Sequence, residues 1–215
     1  METILVFKVS TVFLHSFMKD KILQNATEMF LNLGFKSVTM DDIANNCGVS
    51  KKTIYAHFSN KTNLVDTVTK HLFSKICCGI DLIHDQQKNP IRELFEIKRF
   101  VMKNLKDKKS SPQYQLQKYY PKIFKWLKEQ QFKVMQESIK ENLKSGVLNG
   151  YYRDNLDFEF ISRIYFHGLN GIRDVDMFPF DQYSMKKLMN EYLEYHIRGI
   201  CTAKGIQELE NQLYN

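Results

Sequence analysis

Cysteine, proline and glycine are all scarce in this 215-residue sequence. The four cysteines, Cys47, Cys77, Cys78 and Cys201, show no C-x-x-C spacing, and the adjacent Cys77 and Cys78 are poorly placed for a structural disulfide. That excludes a disulfide-stapled secreted scaffold and fits reduced thiols in a cytoplasmic setting. Four prolines and nine glycines are few for a chain built on β-turns. No apolar run reaches the roughly 18 residues that a membrane-spanning helix needs, so no membrane association is expected. Enzyme signatures are missing too: there is no G-x-S-x-G, phosphate loop, H-E-x-x-H or dinucleotide fingerprint. The six histidines, at 15, 57, 71, 84, 167 and 196, lack metal-ligand spacing. The expectation is a chain with no catalytic residue, no metal site and no cofactor.

What is present is an ordinary folding composition, 43% hydrophobic and 13% aromatic. A net charge of +7 permits a polyanionic partner without requiring one. Residues 1–17 lack the basic n-region and cleavage site of a secretory signal. They read as an upstream extension from a misassigned start, with Met18 opening the compact part. From Met18 the period is helical: Ile22, Leu23, Ala26, Met29, Phe30 and Leu33 form one apolar face, and Gly34 follows as a left-handed cap. Thr39 then caps a short helix, with Asp42 at the matching capping-box position. Ile43, Ala44 and Cys47 form its inner face, and Gly48 ends it. Ser50 caps a third helix, Lys51 to Phe58, with Ile54 and Phe58 facing inward. Asn60 or Thr62 opens a longer fourth helix carrying Leu64, Val65, Val68, Leu72 and Ile76.

Further helices are expected from Pro90 and from Pro112, the latter interrupted by Pro121. A long one ends at Gly146, another spans Asp157 to Gly168, and a last one runs from Ser184 to Lys204. No strand pair, repeat or low-complexity run occurs. The fold expected is all-α: an N-terminal three-helix helix-turn-helix module joined by a fourth helix to a C-terminal helical bundle. The expected divisions are 1–17, 18–65 and 66–215.

Two short helices joined by a glycine turn describe a helix-turn-helix. The second presents Lys51, Lys52, Thr53, Tyr55 and His57 outward, where such motifs reach DNA. No acidic residue lies between Ile43 and Val65, while Lys51, Lys52 and Lys61 fall inside that stretch. A phosphate-facing surface requires that absence. The basic residues between Lys98 and Lys128 read as a solvated face.

Residues 19–65 resemble the DNA-binding domain of the TetR (tetracycline repressor) family. The resemblance is carried by Ala26-x-x-x-Phe30 with Gly34-Phe35, by Thr39-x-x-x-Ile43-Ala44, by Gly48-Val49-Ser50-Lys51, by Thr53-Ile54-Tyr55-x-x-Phe58, and by Lys61. Lys52 departs from it, standing where the family often has glycine. The resemblance implies phosphate contacts by Thr39, Tyr55, His57 and Lys61. It places Lys51, Lys52 and Thr53, with their cap Ser50, nearest the base edges of a double-stranded DNA operator.

It also implies a homodimer through the last two long helices, and a C-terminal domain that binds a small-molecule effector. The segments at 146–154 and 197–205 look like parts of such a domain. Phe100, Tyr119, Tyr120, Phe124, Trp126, Tyr165 and His167 are the candidate pocket residues, although aromatics at helical spacing more often make plain core. The function implied is a repressor released from a pseudo-palindromic operator by that effector. The alternatives are control by a protein partner, no control at all, or activation.

Overall fold

In the computed structural model of the protein the described residues are 2–105, 112–179 and 181–214, with side chains described from Ser16 onward apart from that of Pro112. Among them the regular structure is helical. The elements are α1 (Glu2–Leu33), α2 (Met40–Cys47), α3 (Lys51–His57), α4 (Lys61–His84), α5 (Pro90–Leu105), α6 (Pro112–Tyr119), α7 (Pro121–Leu148), α8 (Phe158–Gly171), α9 (Met185–Ile200) and α10 (Ala203–Tyr214). One isolated bridge pairs Tyr152 with Cys201. The all-α class expected from the helical periods is the one that forms. The chain divides into two compact units, residues 1–74 with 110–127, and residues 75–109 with 128–215. Helices α4 and α7 each pass from one unit into the other.

The first unit closes around an apolar core. Ile22, Ala26 and Phe30 of α1 meet Ile43 of α2, Ile54 of α3 and Leu64 and Val65 of α4, all fully buried. Gly34 ends α1 in the left-handed region at φ 86°, and its N–H donates to the Phe30 carbonyl at 3.0 Å. That conformation favours glycine because it lacks Cβ. This unit differs from the sequence reading in extent. Residues 110–127, grouped there with the C-terminal part, belong to it because Leu116 and Ile123 are buried in its core and Gln115 accepts from the Lys36 N–H at 3.1 Å. Helix α1 reaches upstream to Glu2, so residues 2–17, expected as an extension, continue the same helix; Met1 and the side chains of 1–15 lie outside the described residues.

The second unit packs α5, α8, α9 and α10 with the end of α4 and most of α7. Three helix ends move from their expected places. Gly146 lies inside α7 because the Tyr152 ring packs against it, where a Cβ would stand 2.0 Å from that ring. The left-handed turn falls instead to Gly150, at φ 72°. Gly168 lies inside α8 in the same way, against Tyr192, and the helix continues to Gly171. The expected last helix, 184–204, is two. α9 stops at Ile200, and α10 follows, its Gly205 N–H donating to the Thr202 hydroxyl at 3.2 Å. Thr202 also donates to the Gly150 carbonyl at 2.7 Å, which holds the break against the turn after α7.

This unit buries a polar chain. His84 Nδ1 lies 3.1 Å from Glu93 Oε2, and its Nε2 lies 2.8 Å from Ser138 Oγ. Asn142 donates to Glu93 Oε1 at 2.7 Å and to the Pro90 carbonyl at 2.9 Å, and accepts from the Tyr152 hydroxyl at 3.0 Å. Burial pushes the Tyr152 phenol well above its ordinary range, so it stays a donor.

Candidate nucleic-acid interface

The interface is built from three helix N-termini. At the first, Thr39 has extended backbone and closes a capping box on α2. Its hydroxyl accepts from the Asp42 N–H at 3.1 Å, and Asp42 Oδ2 accepts from the Thr39 N–H at 2.8 Å. Asp42 Oδ2 also accepts from the Thr39 hydroxyl, and these bonds hold the carboxyl below its ordinary range. Gly48 then turns the chain at φ 66°, donating to the Ala44 and Asn45 carbonyls. At the second N-terminus Ser50 accepts from the Thr53 N–H at 3.1 Å, and the two hydroxyls lie 2.9 Å apart. Helix α3 is therefore fixed from both ends: capped by Ser50, and pinned to the core by Ile54 and the closing residue Phe58.

The N-termini of α2, α3 and α4 are held together by specific contacts. Lys51 of α3 donates to Asp41 Oδ2 of α2 at 2.8 Å. Lys61, which opens α4, donates to the Lys36 carbonyl at 3.2 Å and feels the Asp42 charge. Desolvation outweighs that charge and lowers the Lys61 ammonium below its ordinary value. The positive ends of three helix dipoles thus gather with Lys51, Lys52 and Lys61, an arrangement suited to phosphate.

The residues expected to face DNA occupy this surface in graded exposure. Thr39, Ser50, Lys51, Lys52 and Tyr55 are exposed, whereas Thr53, His57 and Lys61 are half-buried. Tyr55 lies one turn on from Lys51 and is 45% exposed, so a large part of it is open to a partner. One participant was missed in the sequence. Asp41 stands outside the acid-free stretch, yet its carboxylate reaches into the surface by pairing with Lys51. No helical period links positions 41 and 51 across the Gly48 turn, so spacing gives no signal for the pair.

The candidate pocket residues divide between the two units. Tyr119, Tyr120, Phe124 and Trp126 belong to the first unit. Tyr119 is exposed with Lys36 over its ring, Phe124 and Tyr120 pack on the core, and Trp126 stands edge-on to Phe73 at 5.8 Å. Phe100, Tyr165 and His167 belong to the second. Phe100 packs on Gly79, and Tyr165 is buried 4.7 Å from the His196 ring, while His167 is exposed. Among the described residues no group of three or more His, Cys, Asp or Glu is placed to hold a metal ion. No described helix is long and apolar enough to cross a membrane.

Comparison with known proteins gives one local match and several over most of the chain. Residues 22–68 match the family model described as bacterial regulatory proteins, tetR family. The chain is 24% identical over 200 residues to the HTH-type transcriptional repressor KstR2 of Mycolicibacterium smegmatis, covering 87% of this chain and 92% of that relative. It is 38% identical over 56 residues to IcaR, the negative transcriptional regulator of the biofilm operon icaADBC in Staphylococcus aureus, covering 26% of this chain and 30% of that one. Among solved structures, a TetR-family transcriptional regulator from Agrobacterium tumefaciens superposes with a TM-score of 0.68 at 16% identity, over 87% of this chain and 100% of that one. The ketosteroid transcriptional regulator KstR2 of Mycobacterium tuberculosis gives 0.56 at 21% identity, over 86% and 95%.

Proposed function

We propose that the chain, whose residues 22–68 match the tetR-family model, is a DNA-binding transcriptional regulator of that kind, a homodimeric repressor that a small-molecule effector releases from a pseudo-palindromic operator. The observation that carries the docking is the convergence of the α2, α3 and α4 N-termini through Lys51–Asp41 and Lys61–Lys36. Thr39, Tyr55, His57 and Lys61 contact phosphates, which supply affinity and register. Ser50, Lys51, Lys52 and Thr53 lie nearest the bases, which supply sequence choice.

The dimer forms through α8 and α9. Phe160 and Ile164 stand one turn apart on α8 at 57% and 46% exposure, and Tyr195 of α9 is 78% exposed. An apolar stripe of this kind is what a self-complementary interface covers. His167 continues the stripe at the next turn of α8 and on this reading belongs to the interface. The two-fold axis sets two α3 helices about one DNA turn apart.

The effector reading draws on relatives whose names state a ligand, such as the ketosteroid regulator and a gamma-butyrolactone receptor. Phe100 and Tyr165 are its candidates in the second unit. Selecting bound fragments from a genomic DNA library with the purified protein tests the operator and the dimer. Enrichment of an inverted repeat is expected, and a protein that enriches no sequence, or sites without two-fold symmetry, would overturn them.

A further inference from the structure

Lys98 lies in a lysine-rich stretch that the sequence assigns to solvent, but α5 turns it inward. Its ammonium is half-buried, donates to Asn190 Oδ1 of α9 at 2.7 Å, and lies 4.4 Å from the centroid of the Phe95 ring. Beside it, between α5, α9 and α10, is a cavity of about 350 Å³. That volume lies within the range of small-molecule sites. Phe95, Met102 and Met189 give it an apolar floor, and Arg99 and Lys186 add two further cations to its wall.

These cations are poorly neutralised. Neither Lys98 nor Lys186 forms an ion pair among the described residues. Arg99 reaches Glu96 only at 4.0 Å, and that carboxylate is already held by Lys88 at 2.6 Å and Arg92 at 3.2 Å. Among the described residues, the lining's Gln212 donates to the carboxylate of Glu208 at 3.0 Å. Desolvation, with Arg99 and Lys186 nearby, pulls the Lys98 ammonium down to about 8, which still leaves it mostly charged at neutral pH. A half-buried ammonium without a counter-charge is unfavourable, and an anion placed beside it removes that cost. An apolar floor beneath clustered cations selects both parts of a ligand at once.

We propose that this cavity binds a small anionic amphiphile, its carboxylate or phosphate head on Lys98, Arg99 and Lys186 and its apolar body on Phe95, Met102 and Met189. The site is separate from Phe100 and Tyr165 as named for the effector, and its effect on the operator, though not its binding, rests on the effector reading. Both head groups are charge-assisted acceptors for these donors.

Titration calorimetry of the full chain with decanoate, decyl phosphate, decanol and inorganic phosphate tests it. One decanoate or decyl phosphate per chain is expected, with decanol and inorganic phosphate each at least about tenfold weaker. The ratio of the two amphiphiles identifies the head. Lys98→Met and the exposed Lys186→Gln should each weaken decanoate about tenfold while retaining operator binding, which reports an intact fold. Equal affinity for decanol, affinity unchanged in both variants, or no saturable binding overturns the site. Saturable, lysine-dependent binding that leaves the operator occupied upholds the site and refutes its role as effector. Operator release by another compound, with no amphiphile bound, refutes the site and keeps the effector reading.

Discussion

The two units bury different kinds of core. Among the described residues, the side chains buried in the first are apolar apart from the Cys47 thiol and Thr69, whose hydroxyl donates to the Val65 carbonyl at 2.8 Å. In the second, Glu93, Asn142, Ser162 and His196 are buried, and Asn142 joins Glu93 to Tyr152 across α5, α7 and the turn after it. An apolar core is held by volume, tolerates changes of pH and gives a rigid platform for reading DNA. A core with ionisable members is held by complementary partners, so its stability depends on protons and on any ligand that alters the charge nearby.

The largest effects should separate these two mechanisms. Phe30→Ala empties space at the centre of the first unit and is expected to cost about 3–5 kcal/mol in urea unfolding. Asn142→Leu keeps the branched shape and the number of heavy atoms and adds apolar surface, yet should cost about 3 kcal/mol because Glu93 and Tyr152 lose their shared partner. Amide exchange in residues 128–215 locates that loss. A neutral or stabilising Asn142→Leu would show the polar chain to be dispensable and the two cores to be alike.

Acid tests the same contrast. Burial lowers His196 from the ordinary 6.5 to about 4, so it folds neutral. Between those values the unfolded chain binds the extra proton, and stability falls as pH drops from 6.5 towards 4, by about 3 kcal/mol in all. His196→Phe should flatten that limb. His84 has the opposite sign: its hydrogen bond to Glu93 raises it, so its contribution is full below 6.5 and fades as pH rises through the higher folded value. His84→Gln should remove that fall on the alkaline side. An acid limb unchanged by His196→Phe would place the proton dependence elsewhere.

Legibility in the sequence follows the same line. Thr39, Gly48 and Ser50 act on neighbours three or four residues away, so a linear reading finds them, and the adjoining apolar period places Ile43, Ile54 and Phe58 in the core. The second unit depends on distant partners. His84 meets Ser138, Glu93 meets Asn142, and Lys98 meets Asn190, at separations that no period encodes. Gly146 and Gly168 illustrate the cost of reading locally. Each resembles a helix terminator, and each is instead the contact point for a tyrosine ring from another segment.

Within the surface proposed to face DNA, Lys61 has two roles to separate. If it contacts phosphate, Lys61→Ala should weaken binding equally on all sequences and reduce the slope of log affinity against log salt by about one. If its bond to the Lys36 carbonyl is the dominant role, the variant should lose melting temperature while the slope stays intact. We expect the slope to change, because a phosphate adds the counter-charge that favours the desolvated Lys61 ammonium.

The smallest expected effect is the most specific to this surface. Asp41 and Lys51 form an exposed pair, each side chain more than half accessible, and such pairs add little to folding. Their effect on docking is different in kind. In the proposed docking the carboxylate would repel the phosphate backbone, and its bond to Lys51 would have to loosen before the ammonium turned to a base or phosphate. Asp41→Asn removes the repulsion and frees the lysine, while Asp42 keeps both the capping box and a negative charge in the first turn of α2. Operator affinity measured by fluorescence anisotropy at low salt should therefore rise a few-fold, with the melting temperature almost unchanged, and the gain should shrink as salt screens the charge. Lys51→Ala should lower affinity and make Asp41→Asn less beneficial in the double variant, because part of the gain acts through Lys51. If Asp41→Asn instead weakens binding, the ion pair serves to orient Lys51 for docking, and the acid belongs to the recognition surface as a positioning group.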